Sequence, residues 1–265
     1  MARLPWLSRA PGSPRLGQGT LSTLSVAAVL VVWELAVSSG YMDPLIASSP
    51  LLIAAAVPEV LGNQQFVNHI TTSGTEFLVG FSAAAILGIL FGLVFGWYRR
   101  LRYALEPALT AAYVTPRLAL LPAIVLWFGF GVVSTTIVAF LGAFFIILLT
   151  VMAATATVDA SLVRAARSFS ASDGRIFRSI VLPAAVPSII TGLRLGVGRA
   201  LSGVVVGEIF GAAAGVGYYI HITATTIQIN RMFVAVMFVA LAGLLSNILF
   251  SRLEARFANW RPALH

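Results

Sequence analysis

Six long apolar runs, separated by shorter polar segments, make up most of the chain. A transmembrane helix needs about 20 consecutive and mostly apolar residues. In a bundle of such helices every backbone hydrogen bond is satisfied inside the protein, as hydrocarbon requires. The pattern therefore predicts an all-α membrane protein built on a six-helix transmembrane bundle. The predicted spans are residues 21–38, 77–97, 108–128, 134–156, 187–209 and 232–251.

Three stretches of the chain depart from this simple pattern, and two of them leave alternatives open. The third span is interrupted by Pro116, Arg117 and Pro122. Segment 39–76 is too short and too rich in proline to cross the membrane, so it is either an amphipathic helix at the interface or a plain extracellular loop. A basic tail before the first apolar run would suit a cleaved signal peptide, although the tail is long and Glu34 lies inside the run.

Composition supports a membrane protein. The chain is 59% hydrophobic and only 10% charged, whereas a soluble domain is nearer one quarter charged. It has no cysteine, which excludes disulfides and thiolate metal sites. Its histidines, His69, His221 and His265, are too far apart to match a metal-binding spacing. We expect no metal, no cofactor and no nucleic-acid partner for this chain.

The arginines predict an orientation in the membrane. The net charge is +8, and all 17 basic residues are arginine. With a cytoplasmic N-terminus and six alternating spans, 13 arginines fall on the inside, only Arg231 falls outside, and the other three lie within the spans. An excess of basic residues marks the cytoplasmic side. The sequence thus predicts a multi-pass inner-membrane protein whose transmembrane domain, 21–255, lies between cytoplasmic tails at 1–20 and 256–265.

Glycines four residues apart line one face of two predicted spans. Such a face lets another helix approach closely. It serves either packing within one subunit or a seam between two subunits around a pathway. The glycines are Gly88, Gly92 and Gly96 in the second span, and Gly192, Gly196, Gly203, Gly207 and Gly211 in the fifth.

A charged interruption, residues 157–186, lies on the predicted cytoplasmic side. Its first half has apolar residues at helical spacing, and residues 170–174 indicate a turn with a helix N-cap. Pro183 should end this segment, and Pro187 suits the first turn of span five. The pattern predicts two short surface helices joined rigidly to a membrane helix; the alternative is a solvated loop. Exposed apolar residues there would indicate a protein partner, and we expect them to be Phe169, Ile176 and Phe177.

This interruption resembles the cytoplasmic EAA loop of ABC-transporter permeases. That loop has the pattern Glu-Ala-Ala, three residues, glycine, nine residues, Ile-x-Leu-Pro, and the spacing here is the same throughout. In the family the loop binds the ATPase subunits. The positions that the resemblance assigns to ATPase coupling are Arg164, Ala165, Ala166, Phe169, Ser170, Ile180, Leu182 and Pro183.

Further motifs resemble the nitrate/sulfonate/taurine-type importer permeases, and the resemblance covers about residues 20–255. It implies the six-helix bundle of the type I ABC importer and a subunit that forms the pathway for a small solute, without enzymatic activity of its own. Two partner ATPase subunits would hold ATP and Mg²⁺, a solute-binding protein would deliver the substrate, and a second identical permease would complete a homodimer. The motifs are "PRLALLPAIVLWFGFG" (116–131), "GLRLGVGRAL" (192–201), "VVGEIFG" (205–211) and "GVGYYI" (215–220).

Three positions depart from the family pattern. Arg164 stands in place of the glutamate, and Ser170 stands in place of the glycine. Either change implies an ATPase with an adjusted groove or, alternatively, a degenerate copy that couples poorly. Glu76 stands where related permeases often carry a basic residue, at the start of span two.

Ionisable residues inside the spans are costly and mark functional candidates. Arg117, Arg194, Arg199 and Glu208 are therefore candidates for the substrate pathway. The excess of arginine favours an anion such as a sulfonate, taurine, nitrate or bicarbonate. Alternatively, Arg194 or Arg199 pairs with a carboxylate or a carbonyl in the bundle, and Arg194 is close enough to the cytoplasmic end to snorkel.

Two other classes of protein fit the sequence less well. A stand-alone secondary transporter or channel usually has broken helices in both halves, and the sequence has no second copy of the Pro116–Pro122 break. An intramembrane enzyme would need a nucleophile beside a base, or metal ligands, within the spans, and the histidines lie in predicted loops or the tail. The sequence therefore predicts the permease subunit of an ATP-driven importer, with the stand-alone transporter or channel as the alternative.

Overall fold

The computed structural model describes residues 18–257, and all regular structure in this range is helical. This confirms the predicted all-α class. Most of the two predicted tails lies outside the described residues. The helices are α1 (Gln18–Ser38), α2 (Pro44–Ala47), α3 (Pro50–Leu61), α4 (Gln64–Trp97), α5 (Arg99–Val114), α6 (Leu121–Phe128), α7 (Val132–Ala156), α8 (Ala160–Ser168), α9 (Asp173–Ile176), α10 (Leu182–Gly211), α11 (Val216–Thr225) and α12 (Ile229–Phe257).

Within the described range, five helical stretches are long and apolar enough to cross a membrane. The third predicted span is instead a bent pair, Arg99–Val114 and Leu118–Phe128, whose axes meet at 79°. Counted as one broken span, the pair brings the total to six, as the hydrophobic pattern predicted. The five stretches are Thr20–Ser38, Gln64–Trp97, Val132–Ala156, Asp173–Gly211 and Ile229–Arg256.

The bend in the third span occurs at Pro116. A proline disfavours helical geometry in the residue before it, and Thr115 is accordingly extended, with a ψ of 130°. The Thr115 hydroxyl donates a hydrogen bond to the Ala111 carbonyl at 2.9 Å and so satisfies the last turn of α5. A 3₁₀ turn, Arg117–Leu120, then leads the chain into α6 in a new direction.

The second span is much longer than its apolar core indicates, because α4 begins at Gln64 rather than at residue 77. The Asn63 side chain caps it by accepting a hydrogen bond from the Gln65 N–H at 2.8 Å. The polar first turns carry no hydropathy signal, which is why the apolar pattern did not include them. Its 34 residues extend about 50 Å, well beyond a hydrocarbon core of about 30 Å.

Segment 39–76 contains a helix, which was one of the two alternatives. α3 starts at the Ser49 cap, whose side chain accepts a hydrogen bond from the Leu52 N–H at 3.3 Å. Its apolar residues Ile53 and Val60 are buried against α12 and α4. α3 therefore belongs to the protein core as well as covering one end of the bundle.

α7 forms the centre of the bundle, between α4 and α10. A side chain at Gly92 of α4 would place its Cβ 2.7 Å from the Cβ of Val151 on α7. On the other side, a Cβ at Gly203 of α10 would lie 3.0 Å from the Cα of Ala139. The glycine faces of both spans thus pack against the same helix within the chain, which corresponds to the first of the two predicted alternatives.

α1 lies at the edge of the bundle and exposes apolar residues such as Val29 and Val32 along its length. Its polar contacts with α2 and α3 come near its end. The indole N–H of Trp33 donates to the Ser48 carbonyl at 3.2 Å, and Glu34 accepts from the Leu51 N–H at 3.0 Å. Glu34 therefore satisfies a free backbone donor in the first turn of α3.

Candidate functional site

The charged interruption folds into one separate short helix, α8, and the first turns of a long helix, at one end of the bundle that is called the α8 end. α8 begins at Asp159, whose side chain accepts a hydrogen bond from the Ser161 N–H at 2.7 Å. That hydrogen bond, assisted by the Ser161 hydroxyl and the nearby charge of Arg164, lowers the pKa of the exposed Asp159 carboxyl. The cap therefore favours the ionised form, and its contribution is present at neutral pH.

The turn after α8 explains why the family pattern has a glycine there. Ser170 has a φ of +57°, which is the left-handed region that favours glycine. Its N–H donates to the Arg167 carbonyl at 2.9 Å, and the Ala171 N–H donates to the Ala166 carbonyl at 3.1 Å. These two bonds form a Schellman motif, which ends α8 and reverses the chain direction.

An exposed ion pair spans the same turn, since Arg167 contacts Asp173 at 3.2 Å. Asp173 is the first residue of α9, where a carboxylate also interacts favourably with the helix dipole. Because both side chains are largely exposed, the pair adds no more than about 1 kcal/mol. The Schellman motif is the main determinant of the turn geometry.

Pro183 does not end the segment, contrary to the prediction. α9 continues through a π-helical turn, Phe177–Val181, directly into α10, so that residues 173–211 form one helical stretch. The regular hydrogen-bond ladder is thus already interrupted by the π turn directly before the proline. Pro187 lies inside α10 rather than in its first turn, and the Thr191 hydroxyl donates to its carbonyl at 3.0 Å. The predicted rigid connection is therefore a continuous helix.

The apolar residues of this region point in two directions. Phe169 is 87% exposed and Leu162 is 51% exposed. Ile176 is buried, and Phe177 packs edge-on against Trp97 at the end of α4, with ring centroids 5.8 Å apart. The expectation that Ile176 and Phe177 are exposed was wrong, because the joined helix turns their face toward the bundle.

The eight positions assigned to ATPase coupling divide in the same way. Arg164, Ala165, Phe169 and Ser170 are exposed on α8 and its turn. Ile180, Leu182 and Pro183 are half-buried where the helix enters the bundle, and Ala166 is half-buried on α8. One group therefore forms a surface, and the other fixes that surface to α10.

Arg199 borders a cavity of about 290 Å³ between α5, α7 and α10. The Arg199 side chain is exposed, and no ion pair involves it among residues 18–257. Tyr113, Thr115 and Ser202 contribute further polar groups to the wall. Arg117 lies nearby in the chain as the first residue of the 3₁₀ turn. The cavity thus places a cation beside hydroxyl groups at the bend of the third span.

Arg194, another candidate for the pathway, is engaged elsewhere. Its guanidinium contacts the Glu254 carboxylate of α12 at 2.9 Å, and its other neighbour is the Ser251 hydroxyl at 3.4 Å. The Thr191 hydroxyl also lies 2.9 Å from the Glu254 carboxylate, so its single hydrogen is shared between this oxygen and the Pro187 carbonyl. The contact with a carboxylate corresponds to the predicted alternative for this residue.

Glu208 is completely buried and organises the turn between α10 and α11. Its Oε2 accepts from the Gly217 N–H at 2.6 Å, and its Oε1 accepts from the Ser73 hydroxyl at 2.5 Å. Ser73 also accepts from the Val216 N–H at 2.8 Å, while His69 accepts from the Gly215 N–H at 3.0 Å. The three successive N–H groups of the "GVG" motif are thus all bound by side chains of α4 and α10.

Sequence reasoning missed the neighbours of Glu208. Ser73, His69 and Glu76 lie on the first turns of α4, which the hydrophobic pattern did not assign to a helix. Glu76 was noted only as a departure from the family, yet it is completely buried next to Glu208. The unusual acid at that position was the available signal.

Comparison with known proteins identifies the family of the chain. Residues 84–259 match the family described as "Binding-protein-dependent transport system inner membrane component". The putative aliphatic sulfonates transport permease protein SsuC of Bacillus subtilis (strain 168) is 30% identical over 96% of this chain and 91% of its own length. The taurine transport system permease protein TauC of Escherichia coli (strain K12) is 28% identical over 93% and 92%.

The fold is also found in a solved transporter. A chain in the crystal structure of a bacterial alginate ABC transporter, in complex with an alginate pentasaccharide-bound periplasmic protein, superposes with a TM-score of 0.61. The match covers 92% of this chain and 98% of the other at 15% identity, which establishes the fold alone. The helical bundle, the family match and the permease relatives agree. The chain therefore belongs to the family of binding-protein-dependent transport system inner membrane components and is a multi-pass permease subunit of an ABC importer.

Proposed function

We propose that this permease is driven by two ATPase subunits that dock on α8, and that it conducts a small anion past Arg199. The observation that carries the proposal is the exposed apolar surface at Leu162 and Phe169, which the Schellman turn at Ser170 joins to the continuous helical stretch Asp173–Gly211. Large apolar side chains that are exposed in the isolated subunit indicate a surface that a protein partner covers in the complex.

The connection to α10 supports mechanical coupling. The helical stretch Asp173–Gly211 has no interruption, so a displacement of its first turns moves the segment that borders the Arg199 cavity. Packing of Phe177 against Trp97 links the same motion to α4. Closure of ATPase subunits against α8 would therefore shift two membrane helices together as a rigid body.

The docking groove on the ATPase is expected to be acidic. Arg164 stands where the family has a glutamate, and Arg167, Arg175 and Arg178 add positive charge to the same exposed region. Complementary charge is the simplest arrangement for a groove that receives this surface. ATP and Mg²⁺ would be bound by the partner and not by this chain.

Orientation and partners follow from the same proposal. The α8 end faces the cytoplasm with both termini, and the α3 and α11 end faces a solute-binding protein outside. A second copy of this chain completes the pathway along the bent third span. The family match and the sulfonate and taurine relatives support this assembly.

An anionic substrate is supported by the Arg199 cavity. An unpaired guanidinium beside hydroxyl groups attracts a sulfonate, nitrate or carboxylate and donates hydrogen bonds to it. Uptake by an Arg199→Ala variant tests this role, with Arg194→Ala as the matched loss of an arginine from the same helix. Unchanged uptake by Arg199→Ala would remove Arg199 from the pathway.

Co-purification with the cognate ATPase tests the docking surface. Phe169→Ala should release the ATPase, whereas Tyr41→Ala, which removes an equally exposed aromatic ring near the opposite end, should not. Arg164→Glu should weaken the complex if the groove is acidic. Retention of the ATPase by Phe169→Ala and Leu162→Ala together, or uptake without ATP, would contradict the proposal and favour a stand-alone transporter.

A further inference from the structure

Two glutamates from different helices meet inside the bundle, at the end opposite α8. Glu76 of α4 and Glu208 of α10 are both 0% exposed. Ser73, three residues before Glu76 and on the same face of α4, donates to Glu208, so the two carboxyl groups share one contact between α4 and α10. Two ionised carboxylates in contact and away from water repel each other strongly, because the surroundings neither solvate nor screen the charges.

The two carboxyl groups differ in their hydrogen bonds. Glu208 accepts one bond on each oxygen, from Ser73 at 2.5 Å and from Gly217 at 2.6 Å. Neither oxygen of Glu76 has a donor among the described residues. An ionised carboxylate only accepts hydrogen bonds, whereas a protonated carboxyl group donates one. The surroundings therefore suit an ionised Glu208 and a protonated Glu76 that donates to it.

No cation within the described range compensates the pair. α7 and α6 carry no ionisable side chain, and α11 contributes only Tyr218, Tyr219 and His221. On α4, His69 is occupied by the Gly215 N–H. The arginines and remaining acids of the packed helices are paired elsewhere or distant. Arg231 of α12 pairs with Glu59 of α3, and Arg194 of α10 pairs with Glu254 of α12. Arg199 lies nine residues before Glu208 on α10, and Arg252 and Arg256 lie in the last turns of α12. The ionisable residues of α5, which starts at the opposite end of α4, are Arg99, Arg100, Arg102, Tyr103, Glu106 and Tyr113.

A metal ion suits this site less well than a proton. Calcium takes six or more oxygen ligands and magnesium takes six in near-octahedral geometry. The described chain has no group of three or more histidine, aspartate or glutamate side chains placed to hold a metal. Of the groups that contact Glu208, the Gly217 N–H donates a hydrogen bond and cannot coordinate a cation.

We propose that Glu76 and Glu208 form a proton-binding site, in which Glu76 carries the proton and donates it in a hydrogen bond to Glu208. The bound proton joins α4 to α10 in the interior of the bundle. It also preserves Glu208 as the acceptor that holds the turn at Gly217. A Cβ at Gly215 would overlap the Glu208 carboxyl group, so the turn packs directly on the site.

The proton makes this end of the bundle sensitive to alkaline pH. Loss of the proton leaves two adjacent negative charges with no counter-ion and removes the hydrogen bond between them. The contact between α4, α10 and the Gly215–Gly217 turn should then loosen. Stability due to this site is present while Glu76 is protonated and is lost as the pH rises.

Infrared spectroscopy of the purified permease in lipid detects the proton directly. The wild type should show the carbonyl stretch of a buried protonated carboxylic acid at neutral pH. Glu76→Gln should lose this band, because the amide replaces the donor, and Glu208→Gln should keep it. Thermal unfolding followed from neutral to alkaline pH should show a loss of stability in the wild type that is absent in Glu76→Gln.

Three results would overturn the proposal: no such band in the wild type at neutral pH, a band that persists in Glu76→Gln, or stability that follows sodium concentration instead of pH. Glu76→Gln keeps the shape and the hydrogen bond, so it is expected to fold. Neither measurement requires transport, so their outcome is independent of the proposed function.

Discussion

The guanidinium of Arg194 lies 2.9 Å from the carboxylate of Glu254, and this contact ties α10 to α12 near the α8 end. Both side chains are partly shielded, at 32% and 16% exposed. The Thr191 hydroxyl also lies within hydrogen-bonding distance of the same carboxylate, at 2.9 Å. The contact therefore has a structural role that can be measured separately from transport.

Removal of Glu254 should destabilise the fold. Glu254→Ala is expected to cost about 2 kcal/mol, because the Arg194 charge then loses its partner in a half-buried position. Arg194→Ala should cost less, and the double variant should recover part of the loss. A double-mutant cycle of unfolding free energies measures this coupling, and strict additivity would show that the contact contributes nothing.

The turn after α8 should gain stability from the glycine that the family has there. Ser170→Gly is expected to stabilise the turn by about 1 kcal/mol, because it removes a left-handed side chain. Ser172→Gly is the matched control, since Ser172 has a φ of −67° and a glycine there only adds chain entropy. Amide hydrogen exchange of residues 160–176 compares Ser170→Gly with Ser172→Gly. Equal protection in the two variants would show that the left-handed conformation of Ser170 does not destabilise the turn.

Close packing of α4 on α7 predicts a strong effect of a single methyl group. Gly92→Ala should cost about 2 kcal/mol, because its Cβ would press on Val151 and the Leu148 carbonyl. Gly198→Ala should be neutral or slightly stabilising, because no atom lies within 4 Å of a Cβ at that position. Thermal unfolding of the two variants provides the measurement. Equal stability of Gly92→Ala and Gly198→Ala would show that α4 and α7 move apart at little cost to accept a methyl group between them.

The cap of α8 should weaken in acid. Since folding lowers the pKa of Asp159, its contribution is complete above the pKa of the unfolded chain, about 4, and is lost as the pH falls through the lower folded value. Asp159→Asn keeps the acceptor and should make α8 insensitive to pH. Hydrogen exchange of residues 160–168, corrected for intrinsic exchange rates, measures the pH dependence of α8 in the wild type and in Asp159→Asn. A pH dependence that remained in Asp159→Asn would show that another titratable group causes it.

Hydrophobic patterning was sufficient for the spans and for the surface helix, because both are local properties of the sequence. It did not find the first turns of α4, since those residues are polar and yet helical. It also placed Ile176 and Phe177 outward, because the direction of a short apolar face depends on how the joined helix rotates against the bundle.

Contacts between distant residues were not predictable from the sequence. Glu76 and Glu208 are 132 positions apart, and nothing local to either indicates that they meet. Pro183 illustrates a different difficulty, because proline commonly ends helices, whereas here a π turn precedes it and the helix continues through it. The cavity at Arg199 likewise depends on the 79° bend in the third span, whose angle has no sequence signature.

The most direct test of the account asks which side of the membrane α8 faces. The chain has no cysteine, so Phe169→Cys introduces a single thiol at an 87% exposed position. A membrane-impermeant thiol reagent should label it in inverted vesicles only, and addition of the cognate ATPase should protect it. Tyr41→Cys should be labelled in right-side-out vesicles only. Labelling of Phe169→Cys from the outside, or no protection by the ATPase, would contradict the central claim that α8 is the docking surface for the motor subunits.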